Sequence, residues 1–188
     1  MSESKTANPG PLGLLGFGMT TVLLNLHNSD IIQMSAVITA MGFAMGGLAQ
    51  IIAGLKEFSR NNLFGATAFT AYGCFWWSLV LIWNPSIFGG GPADALSMGF
   101  YLLLWGIFTV FMAIGTLKHA VAMRVVFFTT AALFLLLSAA NFTGSPAVHL
   151  AAGIDGVICG LSAIYASVAQ VVNNEYGKEV LPMGNKHG

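Results

Sequence analysis

Charge is what this chain has least of: Asp, Glu, Lys and Arg make up 7% of its 188 residues, against about 25% in an ordinary soluble domain. So few ionic groups cannot cover a water-facing surface, which excludes a freely soluble globular protein. The seven basic and seven acidic residues cancel, which removes the basic footprint that nucleic acid or an acidic lipid surface would need. Cysteine is nearly missing too. Cys74 and Cys159 both fall inside apolar runs, where a thiol packs as a small hydrophobe, so neither a disulfide nor a metal site is expected. The four histidines are scattered at 27, 119, 149 and 187, with no nucleophile elbow, no His-Glu-x-x-His pair and no phosphate-binding Gly loop. Enzyme classes are therefore disfavoured, and no cofactor is expected. The opening residues also lack the sustained apolar stretch and small-residue cleavage site of a secretory signal, leaving the first span to direct insertion.

What is present is hydrocarbon-loving: 56% hydrophobic residues, with fourteen Phe, nine Met and 23 Gly. A membrane helix needs about 20 mostly apolar residues. Six stretches qualify: 11–27, 34–55, 63–84, 96–117, 121–141 and 147–172. The expected fold is all-α, a polytopic membrane protein with six transmembrane helices per protomer. It divides into an N-terminal segment (1–10), the helical domain (11–172) and a tail (173–188). The basic residues Lys5, Lys56, Arg60, Lys118, Arg124, Lys178 and Lys186 all fall on one side of that arrangement. The excess of Lys and Arg in cytoplasmic loops then places both termini in the cytoplasm. Arg124, one turn inside span five, reads as a snorkelling anchor.

Polar and aromatic residues recur at helical spacing inside the spans, where they must find partners or line a wet path. Phe17, Thr21 and Asn25 share a face of span one. Thr39, Phe43, Gly46 and Gln50 are expected to share one in span two, and Phe69, Tyr72 and Trp76 in span three. Thr130, Phe134, Leu137 and Asn141 do so in span five. Span six offers Asp155, Cys159, Ser162, Ala163, Ala166 and Gln170, with Gly156 and Gly160 spaced for close helix contact. Asp155 is the one acid well within a span; it is expected to respond to protons beside a water path, to pair with Ser162, or, about two turns from the outer end, simply to reach the interface. No span holds a deep Lys or Arg, so an anion would meet hydroxyls, amides and helix ends, which favours weak and rapidly released binding. At the start of span one, Asn8 can cap, Pro9 suits the first helical position and Pro11 the first turn.

The opening Asn8-Pro9-Gly10-Pro11-Leu12-Gly13-Leu14, followed by Gly16-Phe17-Gly18-Met19-Thr20-Thr21, resembles the signature of the acetate uptake transporter family, which includes bacterial succinate-acetate permeases. Further blocks match in order: 46–50, 64–73 and 158–165. The resemblance runs from about Asn8 to Leu181.

The resemblance implies a homo-hexamer in the bacterial inner membrane, each protomer passing acetate, with succinate as a further candidate, by a channel-like or proton-linked route. It carries a narrow hydrophobic constriction onto Phe17 and Tyr72, and polar positions of the path onto Asn8, Thr20 and Gln50. Ala163 matches a small residue that tunes substrate size. Two departures stand out: relatives commonly have leucine where this chain has Thr130, and an apolar residue where it has Asp155. A threonine there implies a wider or wetter gate. The other functional class is a membrane receptor or sensor for the same carboxylates; it is disfavoured by the short tail.

Overall fold

The computed structural model describes residues 6–87 and 91–184, and these are helical, with no strand among them. Six helices have spanning length: α1 (Gly10–Asn28), α2 (Ala36–Phe58), α3 (Leu63–Trp83), α4 (Ala95–Lys118), α5 (Val121–Thr143) and α6 (Pro146–Tyr176). Their ends lie within four residues of the sequence expectation. All but α1 are apolar enough to cross a membrane on hydropathy alone. In α1, ten of nineteen residues are buried, including Thr20, Thr21 and Asn25, so its polar groups face protein and its low hydropathy is tolerated.

The helix ends follow local chemistry. The Asn62 side chain accepts the Gly65 N–H (3.1 Å) to start α3, and Asp94 accepts both the N–H (2.9 Å) and hydroxyl (2.6 Å) of Ser97 to start α4. These Ser97 bonds hold the Asp94 carboxyl below its ordinary value. Gly144 and Gly177 stop α5 and α6 in the left-handed conformation that glycine alone adopts freely, at φ 64° and 62°. At α1 the helix begins at Gly10, so Pro9 is the cap residue rather than the first helical one. Asn8 Oδ1 accepts the Gly10 N–H at 3.0 Å.

Neighbouring backbones pack in the order α3–α2–α1–α6–α5–α4, which nearly closes a ring. Small residues make these close seams. Gly18 and Gly160 each sit on the other's carbonyl across α1–α6, and Gly156 lies under the Asn25 side chain. Between α2 and α3, Gly46 and Gly47 lie under the indoles of Trp76 and Trp77. The α3–α4 gap has few close backbone approaches and is closed instead by large side chains: Phe75 stacks on Tyr101 with centroids 5.7 Å apart, and Ser78 Oγ meets Tyr101 Oη at 2.7 Å.

Within α2, Gly42–Ala49 is π-helical. A π-helix bonds i to i+5 and is wider than an α-helix, so side chains four residues apart no longer align. This overturns one expectation: Phe43 leaves the face of Thr39, Gly46 and Gln50. It stands 54% exposed, stacked on Trp77, whose indole N–H donates to the Phe43 carbonyl at 3.0 Å. Glycines at 42, 46 and 47 make room for this stretch beside α3.

The 59–62 and 119–120 connections lie with the chain start and the tail at one end of the bundle, called here the near end. Lys56, Arg60, Lys118, Arg124 and Lys178 gather there; Lys5 and Lys186 lie outside the described residues. Arg124 Nε donates to the His119 carbonyl at 3.0 Å.

Candidate functional pathway

Two cavities enter the ring from opposite ends. The near one, about 670 Å³, is lined among others by Asn8, Glu57, Asn62, His119 and Gln170. The far one, about 560 Å³, is lined among others by His27, Asn28, Thr39, Asn84, Asn141 and His149. Among the described residues no Lys or Arg lines either one. Between them lies a gap of about 20 Å³, walled by Leu14, Phe17, Gln50, Phe69, Tyr72 and Phe127. About 10–15 Å³ of such space holds one water, so the gap has room for about a single water and nothing as large as a carboxylate passes until a ring moves.

Tyr72 is the centre of this plug. Its ring is within 6.4 Å, centroid to centroid, of Phe17, Trp105, Phe108, Phe127 and Phe134. Its hydroxyl donates to Thr109 Oγ1 (2.9 Å), and the Thr109 hydroxyl donates on to the Trp105 carbonyl (2.7 Å). That relay spans the α3–α4 side of the ring, where the backbones approach least. Gln50, 1% exposed, contributes the polar group at the gap; its Oε1 is buried with no hydrogen-bond partner. An amide offers both a donor and an acceptor, which matches a carboxylic acid group in either protonation state.

The remaining sequence candidates separate. Asn8 sits at the near mouth, its amide donating to Gln170 Oε1 at 3.1 Å. Asn25 is held by Thr21 and Asn28, donating to the Thr21 carbonyl (2.8 Å) and accepting from Asn28 (3.0 Å). The buried Thr21 hydroxyl has no partner. Thr20 donates to its own helix at Gly16 (2.6 Å) and faces the Met41 carbonyl (3.4 Å) in the α1–α2 seam. Ala163 is fully buried.

Thr130 is buried on α5, one turn beyond the gap-lining Val126. Its hydroxyl is already engaged: it donates to the Val126 carbonyl at 2.6 Å and lies 3.1 Å from Cys159 Sγ. The expected wetting of the gate by this group is therefore not what the geometry offers, because the hydroxyl turns into the α5–α6 seam. The expected pairing of Asp155 with Ser162 also fails. Ser162 donates to the Cys159 carbonyl (2.7 Å), and Asp155 Oδ2 is buried without a partner. Seven residues along one helix face are two turns apart, about 10 Å, too far for two short side chains to meet.

Sequence reasoning missed the α4 contribution, Trp105 and Thr109, although their i, i+4 spacing carries the same polar-aromatic signal used on other spans. It also ended span two at residue 55, short of Glu57. Glu57 is in the last turn of α2, 2% exposed, accepting from Asn62 at 3.0 Å with Arg60 at 3.9 Å.

Several known proteins resemble this chain over all or nearly all of its length. The model of the GPR1/FUN34/yaaH family matches residues 1–183. The chain is 49% identical over 188 residues to the succinate-acetate/proton symporter SatP of Escherichia coli (strain K12), covering all of both chains. It is 33% identical over 200 residues to acetate permease A of Emericella nidulans, across 96% of this chain and 67% of that one. The solved structure of the bacterial acetate channel SatP superposes with a TM-score of 0.94 at 50% identity, covering 96% of this chain and 100% of that one.

Proposed function

The chain belongs to the GPR1/FUN34/yaaH family, and from that membership we propose that it carries acetate, and succinate with it, across the bacterial inner membrane through the centre of each six-helix protomer. The observation that carries this reading is the pathway itself: two vestibules lined partly by polar side chains, aligned on a gap of about 20 Å³ whose aromatic and aliphatic wall is broken by the Gln50 amide. Such a gap selects by size. With no Lys or Arg among the described residues that line it, a small monoanion or its acid is not trapped by a fixed charge, which suits rapid transit rather than storage, sensing or catalysis.

In this reading Phe17 and Tyr72 form the constriction and Gln50 passes the carboxyl group across it. Asn8 shapes the near mouth. Thr130 and Ala163 set the packing of α5 against α6, and Thr20, Thr21 and Asn25 hold α1 against its neighbours. Asp155, buried on one oxygen beside Cys159, is the group placed to respond to protons. The basic near end lies in the cytoplasm, by the positive-inside asymmetry, and protomers assemble as a hexamer, as the family resemblance implies. The exposed apolar residues Leu104, Phe111 and Ile158 then face lipid or the neighbouring protomer.

The test is uptake of labelled acetate by proteoliposomes, with and without an imposed pH gradient or membrane potential. Uptake above protein-free vesicles is expected. Stimulation by an inward proton gradient alone marks proton coupling, and response to potential marks anion flow. Uptake no faster than in protein-free vesicles under every condition overturns the proposal.

A further inference from the structure

Beyond α6 the chain does not trail away from the bundle. Residues 178–184 fold back across the near mouth, and hydrogen bonds tie the path down from Glu179 to Gly184. Asn173 Oδ1 accepts the N–H groups of Val180 (2.7 Å) and Leu181 (2.8 Å), while its Nδ2 donates to the Leu181 carbonyl (2.8 Å). Tyr165 Oη donates to the Pro182 carbonyl at 2.8 Å. Glu179 Oε1 accepts the Met183 N–H at 2.7 Å.

The segment ends on α5. The first-turn N–H groups of Val121 and Ala122, which no intrahelical carbonyl can satisfy, donate to Gly184 (3.2 Å) and Met183 (3.0 Å). Gly184 is left-handed, φ 69°, with its backbone pressed against the Val121 side chain. Met183 is 7% exposed, joins the central hydrophobic cluster and lines the near cavity together with Met123 and Phe127.

We propose that the 178–184 segment is a strap that sets the width of the near end of the pathway, admitting short carboxylates over longer ones. Met183 is its wall in the cavity; Asn173 and Tyr165 are its anchors on α6. The two bonds to Val121 and Ala122 fix the end of α5 that leads, within two turns, to the gap residues Val126 and Phe127. The strap therefore acts at two places: Met183 narrows the mouth directly, and the tie to α5 limits how far the gap wall can move outwards when a larger substrate enters. This inference rests on the transport reading above.

The experiment compares wild type, a chain ending at Gly177, Tyr165→Phe and Met183→Ala in proteoliposomes, with labelled acetate and labelled succinate measured on the same preparation. Wild-type acetate uptake no faster than in protein-free vesicles sinks the transport reading itself, apart from any role of the strap. Given transport, the succinate-to-acetate ratio is expected to rise in all three variants. Tyr165→Phe, which removes one hydrogen bond, should raise it roughly fivefold and no more than about thirteenfold, and the truncation should raise it more. A shortened chain that assembles and melts as wild type with an unchanged ratio overturns the strap. If the shortened chain does not assemble, Met183→Ala decides, and an unchanged ratio there overturns it equally.

Discussion

Replacing Tyr72 tests the plug most directly, because two substitutions at this position remove different things. Tyr72→Phe removes only the hydroxyl that meets Thr109 at 2.9 Å. Hydrogen bonds between membrane helices contribute about 0.6 kcal/mol on average and about 1.7 at most, so the ratio of open to closed gap should rise roughly threefold, and no more than about seventeenfold. Tyr72→Ala removes a ring whose centroid is within 6.4 Å of five others. Truncating a buried aromatic costs about 3–5 kcal/mol of stability, and here the space left behind joins the 20 Å³ gap to both vestibules.

The expectation is therefore graded. Tyr72→Phe should speed acetate uptake modestly with little loss of discrimination. Tyr72→Ala should admit succinate and lactate far more readily relative to acetate, while lowering the melting temperature. Uptake of the three labelled acids by reconstituted protein, alongside thermal melting in detergent, measures both. A Tyr72→Ala protein that assembles normally and keeps the wild-type uptake ratios would refute the idea that this ring sets the diameter, as would an equal effect from the two substitutions.

Two further substitutions follow from the seams around the gap. Thr130→Leu inserts bulk into the buried α5–α6 contact and removes the hydroxyl beside Cys159 (3.1 Å). It should slow lactate and succinate uptake more than acetate, and unchanged uptake of all three counts against a role for Thr130. Gly18→Val places side-chain atoms against the Gly160 carbonyl, where the two backbones leave no space. The solubilised protein should lose its monodisperse size-exclusion peak, whereas a normal peak would show that α1 and α6 can separate at no cost.

The sequence alone determined the solvent and the count of helices. Paucity of charge and six apolar runs require hydrocarbon around most of the surface, and in hydrocarbon the backbone must satisfy itself within each helix. That is why the helix ends, governed by local caps such as Asn62, Asp94 and Gly144, came within a few residues. It also marked Phe17, Gln50 and Tyr72, since bulky and polar groups at helical spacing inside a span need protein partners. Tertiary structure decided what single-helix periodicity cannot hold. The π-helical stretch turned Phe43 outwards, because its wider turn comes from fitting glycines beside Trp76 and Trp77 rather than from local pattern. Thr130 donated its hydroxyl to the Val126 carbonyl of its own helix, beside Cys159 of α6. Trp105 and Thr109 gained their place only when α4 was set opposite α3, and the tail became a wall of the pathway because Asn173, Tyr165 and the start of α5 converge on it from positions far apart in the chain.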